Sequence, residues 1–221
     1  MPRRSGKDPR RRAAPVVLLH GNPGTGADFE RVFDLLGGDR DIRVIDRPGH
    51  GGASRSSTVL TLPEQARIIH AAVGDVDRPI LVGFSYGGPV ALAYAEEFPG
   101  DVRAIVLIAS LGDPGAPHLR NPVEGVLALP VVGPLVAWTV GPLLAQGQIK
   151  DGLASAFAPD PVHPKCLASA LATWSAPRAL LAFAGDMKGL DESFAAVARR
   201  YDEIHVPVEV LVAEDDTVVP A

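Results

Sequence analysis

The sequence predicts an α/β fold in which a mostly parallel sheet carries helices on both faces. Three observations support this prediction: short aliphatic runs recur along the chain, turn-forming residues close each run, and most runs are separated by segments of helical periodicity. The runs predicted as strands are 16–20, 42–46, 79–84, 104–109 and 208–212. With 221 residues, of which 47% are hydrophobic, the chain can form one domain with a sizeable core.

Two segments between these strands carry apolar residues at helical spacing. The repeating positions of the segment 62–73 are Leu62, Ala66, Ile69 and Val73. The segment 28–36 opens with an acid and has its apolar side chains on one side, a pattern that also favours a helix. A further helix is predicted directly after the third strand.

The alternation of strands and helices stops between residues 112 and 200, where glycine and proline are frequent. Residues 125–149 contain no charged side chain and are numerous enough to span a bilayer. Three prolines, Pro130, Pro134 and Pro142, would interrupt such a helix, and a strand pattern resumes downstream. A helical insertion is therefore the favoured interpretation, and a membrane span is the less favoured one.

Charge is distributed unevenly along the chain. Residues 1–12 hold six basic side chains and one acid, whereas the rest holds 15 basic and 25 acidic side chains, a net charge of −10. The apolar run 16–19 is too short for an export signal, so a disordered basic tail over 1–14 is predicted. An acidic body lacks the electrostatic pattern of a nucleic-acid-binding protein, and no nucleic-acid partner is expected.

Cysteine usage restricts the chemistry further. Cys166 is the single cysteine, so the chain cannot form an internal disulfide and offers no cysteine-based metal site. This fits a reducing compartment, and a cytoplasmic location is expected.

The strongest local signal is the motif Gly83-Phe84-Ser85-Tyr86-Gly87, which follows one predicted strand and opens a helix. A serine at the tip of so tight a turn takes a strained backbone, and side chains two positions before or after it would collide. The strand–turn–helix context favours a nucleophilic Ser85 over an ordinary Gly-Ser turn.

A second motif, His20-Gly21-Asn22-Pro23-Gly24, ends the first predicted strand. In acyl-transfer sites built on such a turn, one oxyanion donor is the N–H of the residue after the nucleophile, here Tyr86. The second donor comes from the loop after an earlier strand, and Asn22 is the predicted residue. His20 is predicted to support that loop and not to catalyse.

Together with Asp46-Arg47-Pro48-Gly49-His50-Gly51, these motifs resemble the α/β-hydrolase superfamily in order and spacing. The resemblance covers about 16–221. It implies an eight-stranded sheet, a helical lid after the sixth strand, a serine nucleophile, an acid after the seventh strand and a histidine near the C-terminus. The lid is expected at about 112–203 of a hydrolase domain at 15–221, in which the last strand and helix are missing.

The resemblance also indicates the acid. The run VPVEVLVAEDDTVVP is similar to the family's seventh strand and the turn after it, which makes Asp216 the predicted triad member. Two alternatives stay open: its neighbour Asp215, and Asp113, because some relatives hold the acid after the preceding strand.

No histidine follows Asp216 in the sequence. The six histidines of the chain are His20, His50, His70, His118, His163 and His205. Among them His50 is the first candidate for an alternative base. The favoured expectation is that the catalytic histidine is encoded after residue 221, and that this chain alone is nearly inactive and prone to aggregate through an exposed apolar strand.

The resemblance implies hydrolysis of carboxylic esters, with amides the less favoured class and no metal or organic cofactor. Similar dehalogenases and epoxide hydrolases carry aspartate where this chain has Ser85. An apolar substrate is expected from the apolar residues of the lid, which are Val126, Leu127, Leu129, Val131, Val132, Leu135, Trp138, Leu143 and Leu144. The alternative is that these side chains only pack on the core.

Two other classes stay open. Without a base the chain would be an inactive hydrolase fragment or a ligand-binding remnant. A dinucleotide-binding oxidoreductase is also considered, because a glycine-rich loop at 21–26 precedes Asp46 at a suitable interval. Against it, Pro23 removes an N–H from that loop, and none of Tyr86, Tyr94 and Tyr201 has lysine four residues later.

Overall fold

A computed structural model describes residues 13–36, 40–54, 56, 58–115, 122–214 and 216. It contains a parallel five-stranded sheet in the order β2-β1-β3-β4-β5. The strands are β1 (Val16–Leu19), β2 (Ile42–Ile45), β3 (Ile80–Phe84), β4 (Ala104–Ile108) and β5 (Val208–Leu211). The predicted parallel α/β fold is confirmed. Each observed strand is one residue shorter than the strand predicted from the sequence. Pro79 precedes β3 because proline has no N–H for the ladder.

The helices occupy the connections between strands. They are α1 (Glu30–Leu36), α2 (Leu62–Val73), α3 (Gly87–Glu97), α4 (Pro122–Leu127), α5 (Val132–Trp138), α6 (Gly141–Phe157), α7 (Pro164–Trp174) and α8 (Pro177–Ala198), with 3₁₀ turns at Gly26–Phe29 and Tyr201–Glu203. The helix predicted at 28–36 therefore begins as a 3₁₀ turn. The helix predicted at 62–73 has those bounds, and Thr61 and Glu64 form a capping box at its start.

The main hydrophobic core lies between the sheet and the helices α2, α3 and α8. Val17, Leu19, Leu81 and Ile105 supply the strand side of this core and are fully buried. Helix α3 is buried at every position from Gly87 to Glu96. This helix is therefore a central element of the core, and it fixes the position of the turn that precedes it.

Helices α4 to α8 follow β4 and precede β5 in the sequence, and they form a second hydrophobic core of their own. The buried members of this core include Leu127, Ala137, Ala145, Leu153 and Leu181. Pro134 and Pro142 lie in the first turns of α5 and α6, where no helical N–H bond is lost. The prolines thus divide the uncharged stretch 125–149 into short helices. We call residues 122–203 the helical segment.

None of the described helices is by itself long and apolar enough to cross a membrane. Helices α7 and α8 reach those limits only as a pair, and they are bent by 81° against each other.

Candidate active site

Ser85 lies at the turn between β3 and α3, at the carboxyl edge of the sheet. Its φ is 51°, in the left-handed region that side chains other than glycine seldom adopt. A Cβ at Gly83 would lie 2.6 Å from the carbonyl oxygen of Gly87, so the turn closes only because Gly83 lacks a side chain. Two main-chain bonds hold it: Ser85 N–H donates to Ile108 O at 2.9 Å, and Gly88 N–H donates to Ser85 O at 3.0 Å. The serine is half-buried.

The loop after β1 lies directly beside this turn. A Cβ at Gly21 would stand 3.0 Å from the Cβ of Ser85. Asn22, the next residue, donates its side-chain N–H to Phe183 O of α8 at 3.2 Å. Its Oδ1 is buried and has no hydrogen-bond partner among the described residues. The structure therefore brings together Ser85, Tyr86 and the loop of Asn22.

The candidate acids lie at the same edge of the sheet, because β3, β4 and β5 are parallel neighbours. Asp216 is half-buried, and its main-chain N–H donates to Ala213 O at 3.2 Å in the turn after β5. Asp113 is exposed after β4 and accepts from Gly115 N–H at 2.7 Å. Asp215 lies outside the described residues.

His20 is fully buried below the β1 loop, and its two ring nitrogens have opposite roles. Nε2 accepts the main-chain N–H of Arg47 at 2.9 Å, so Nδ1 carries the proton and donates to Gly21 O at 2.9 Å. Burial and the positive charge of Arg47 lower the pKa of His20 well below its ordinary value. A neutral ring with both nitrogens engaged supports the loop and is not free to take a proton.

His50 also lies inside the protein, with 1% of its surface exposed, and contacts an acid of the helical segment. Its Nε2 lies 2.8 Å from Asp186 Oδ2. The same oxygen accepts from the buried Arg47 at 2.6 Å, while Oδ1 accepts from Gln65 at 3.1 Å. Asp186 was not predicted as a site residue.

Tyr86 is part of this buried arrangement. Its hydroxyl donates to the main-chain oxygen of Asp186 at 2.8 Å and accepts from the Gln65 amide at 3.1 Å. The guanidinium carbon of Arg47 lies 4.4 Å from the centre of the Tyr86 ring, a cation–π contact. We call Arg47, His50, Gln65, Tyr86 and Asp186 the buried polar network.

The network keeps its carboxylate charged although that carboxylate is buried. Burial alone would raise the pKa of Asp186, but the charge of Arg47 and the contact with His50 outweigh burial, and the net direction is down. Burial, followed by the negative charge of Asp186, raises the pKa of the Tyr86 hydroxyl well above its ordinary value. Tyr86 is thus held as a neutral donor.

The remaining described histidines have structural surroundings. His70 lies 2.9 Å from Asp101 Oδ2 and stacks on Phe98 with ring centres 3.8 Å apart. His163 accepts from Lys165 N–H at the start of α7. His205 is exposed just before β5, and His118 lies outside the described residues.

A cavity of about 270 Å³ lies between the β2–α2 connection and the helical segment. Pro48, Leu60, Leu127, Leu129, Leu181 and Asp186 are among its lining residues. Of the nine apolar residues predicted to form an apolar lid, Leu127 is buried and the other eight are exposed. Most of these side chains therefore do not pack on a core, which disagrees with the alternative that they serve only in core packing.

Asp46, the residue on which the dinucleotide alternative depends, has a local structural role. Its Oδ1 accepts from Gly26 N–H at 2.7 Å, and its Oδ2 accepts from Gly52 N–H at 2.9 Å. The carboxylate thus joins the loops after β1 and β2, and the contacts offer no support for ribose binding.

The sequence matches the profile of the alpha/beta hydrolase fold over residues 14–152, more than half of its length. The chain belongs to this family. This assignment replaces the oxidoreductase alternative.

Curated relatives resemble the motif-bearing part of the chain. A pimeloyl-[acyl-carrier protein] methyl ester esterase of Proteus mirabilis is 34% identical over 95 residues, which are 43% of this chain and 36% of that protein. Human monoacylglycerol lipase ABHD6 is 33% identical over 102 residues, or 44% of this chain and 30% of that protein. The matched regions thus span about a third of the length of these relatives.

Solved structures resemble nearly the whole chain. An alpha/beta hydrolase fold protein from Burkholderia ambifaria superposes with a TM-score of 0.73 at 19% identity, covering 94% of this chain and 76% of that one. Est816, described as an N-acyl homoserine lactone degrading enzyme, has a TM-score of 0.67 at 22% identity, covering 95% and 78%. At these identities the likeness shows the fold alone.

Proposed function

We propose that this hydrolase is a serine esterase with Ser85 as its nucleophile. The observation that carries the proposal is the strained Ser85 backbone between β3 and α3, which presents the side chain beside the β1 loop. A serine at this turn favours acyl transfer. Among the curated relatives, the names of the esterase and the lipase agree with that chemistry.

The reaction follows from the groups around Ser85. The hydroxyl oxygen bonds to the acyl carbon and gives its proton to a base, while the carbonyl oxygen becomes an oxyanion. The main-chain N–H groups of Asn22 and Tyr86 hold that oxyanion. Collapse expels the alcohol, which takes the proton from the base, and water then releases the acid from the acyl-enzyme.

We assign the acid of the triad to Asp216 and the base to none of the described histidines. His20, His50 and His70 are each engaged with other groups, and the family order places the histidine after the acid. Ester turnover by wild type and by His50→Ala tests this assignment. Turnover that persists in His50→Ala would support it, whereas turnover that disappears in His50→Ala would contradict it.

A fluorophosphonate probe tests the nucleophile. In a protein that carries the whole triad, we expect the probe to label Ser85, and Ser85→Ala to abolish labelling. Ser110→Ala is the matched control, because Ser110 lies at the end of the neighbouring strand β4, and this variant should keep the label. Labelling of another residue, or equal labelling of Ser85→Ala, would overturn the proposal.

We propose further that the substrate is an ester with an apolar acyl group. The support is the cavity, whose lining is mostly aliphatic but includes Asp186 and Lys188, and the exposed apolar side chains of α5 and the first turn of α6. Each buried methylene contributes about 0.8 kcal/mol, so kcat/KM should rise several-fold per added carbon until the pocket is full. A preference for acetate over longer acyl esters would contradict an apolar pocket.

A second candidate is a hydrolase remnant that binds an ester and does not cleave it. The engaged histidines favour it, because without a base Ser85 is an ordinary alcohol. Saturable binding of a long-chain ester with no labelling and no turnover would support this candidate over the esterase.

A further inference from the structure

The buried polar network connects the helical segment to the turn at Ser85, although these elements are far apart in sequence. Arg47 follows β2, Gln65 lies on α2, Tyr86 immediately precedes α3, and Asp186 lies on α8. Asp186 is 5% exposed, and Arg47 is completely buried. A buried ion pair of this kind is weak evidence for stability, because desolvation of the two charges offsets most of their attraction. Its contacts therefore suggest another role.

Asp186 is connected to Tyr86 by one direct hydrogen bond and by two indirect connections. Its main-chain oxygen accepts the Tyr86 hydroxyl directly at 2.8 Å. Its Oδ1 accepts from the Gln65 amide, which also donates to the Tyr86 hydroxyl. Its Oδ2 holds the Arg47 guanidinium, which stacks on the Tyr86 ring.

Tyr86 is the residue after Ser85, so the orientation of its side chain and that of its main-chain N–H are coupled. A ring held at its hydroxyl and on its face restrains the Tyr86 Cα, and this restrains the peptide that joins Tyr86 to Ser85. The Arg47 side chain also donates to Gly21 O at 2.8 Å and to His20 O at 3.0 Å, which fixes the neighbouring loop. One carboxylate thus supports both sides of the space above Ser85.

We propose that Asp186 is a positioning residue through which helix α8 holds the Ser85–Tyr86 turn and the β1 loop in their active arrangement. Its catalytic consequence rests on the proposed function, since it assumes that the Tyr86 N–H holds an oxyanion. The mechanical part does not depend on that assumption. Helix α8 thus supports the turn through Asp186, in addition to the contact of Phe183 O with Asn22 of the β1 loop.

Amide hydrogen exchange tests the mechanical part. Asp186→Asn removes the charge at nearly constant volume, and Glu192→Gln makes the same change on the exposed face of α8. We expect the amides of Ser85 and Gly88, both hydrogen-bonded, to exchange roughly tenfold faster in Asp186→Asn and at the native rate in Glu192→Gln. Native exchange at the turn in Asp186→Asn, or equal acceleration across the whole sheet, would overturn the proposal.

The rate of phosphonylation of Ser85 by the fluorophosphonate probe tests the catalytic part. In folded Asp186→Asn we expect this rate to fall about 10- to 100-fold, less than complete loss of an oxyanion donor. Tyr86→Phe should lower it too, and the double variant should be no slower than the slower single variant, because both substitutions loosen the same Tyr86 ring. Additive effects would overturn the coupling. Absence of labelling in the wild-type protein would contradict the proposed function, and the exchange result would still decide the role of Asp186.

Discussion

Helix α3 and helix α6 bury their residues in opposite ways, although both are rich in small and aliphatic side chains. Every position of α3 from Gly87 to Glu96 is buried. Helix α6 buries a single stripe at intervals of four residues, and this stripe consists of Gly141, Ala145, Ile149 and Leu153. Two of its large apolar residues face outward, with Leu143 73% and Leu144 57% exposed.

The difference shows that composition alone does not locate a core. Helix α3 packs so closely against the sheet that few kinds of side chain fit at each of its positions. This steric restriction produces a recognisable motif. Helix α6 packs through one narrow stripe and leaves an apolar surface uncovered. In many proteins an exposed apolar patch of this kind marks a surface that binds a ligand or another macromolecule. The two regions should therefore respond differently to the same substitutions.

Gly87→Ala should have the largest effect on stability. A Cβ at Gly87 would collide with the carbonyl oxygen of Leu19 and lie 2.9 Å from that of His20, and neither strand atom can move aside. We expect a loss of about 4 kcal/mol or more in the free energy of unfolding, measured by urea denaturation. Gly100→Ala, where no atom lies within 4 Å, is the control. A Gly87→Ala protein as stable as Gly100→Ala would show that the turn is loosely packed.

The same truncation of leucine should separate the two kinds of surface. Leu190 on α8 is completely buried, so Leu190→Ala should lose about 2–5 kcal/mol. Leu143→Ala on α6 should change stability by no more than about 0.5 kcal/mol. Thermal unfolding of both variants measures the difference. A large loss in Leu143→Ala would mean that this face is covered in solution.

Sequence reasoning predicted the strands because each one is a short aliphatic run closed by turn residues. It also predicted Ser85, because the steric demands of a tight turn are local and leave glycines at fixed offsets. The carboxyl ends of parallel strands then bring the motif loops to one edge, so the position of Asn22 and Tyr86 beside Ser85 followed from the topology.

The buried polar network was beyond the reach of such reasoning. Arg47 and Asp186 are 139 positions apart, and Asp186 sits in a helix with no local motif. A single acid between apolar helical residues reads as a solvated position. The loop motif around Arg47 and His50 is recognisable in the sequence, but nothing in it indicates a contact with a residue of α8.

Glu96 provides a pH-dependent contrast within the buried helix. Burial, only partly offset by Arg200, raises its pKa from 4.5 to about 7. The folded state therefore binds the proton more tightly than the unfolded state, so stability falls as pH rises from about 4.5 to about 7. We expect Glu96→Gln to be about 2 kcal/mol more stable than wild type at pH 8 and no more stable at pH 4.5. Melting temperatures across this range measure it. A wild-type-like pH profile in Glu96→Gln would contradict it, and Glu30→Gln on the surface is the control.

The smallest expected effect is a gain in stability on the outer face of α6. Gly147 is exposed in mid-helix, and a Cβ there would meet no atom within 4 Å. Gly147→Ala should therefore stabilise the protein by about 0.5–1 kcal/mol, because alanine loses less backbone entropy in a helix. Gly152→Ala on the same helix also meets open space, so the two gains should add in urea denaturation. A loss of stability at Gly147 but not at Gly152 would show that something packs against that part of the helix. Since the neighbouring Leu143 and Leu144 are exposed and apolar, that outcome would identify this face of α6 as an occupied surface and would weaken its contrast with α3.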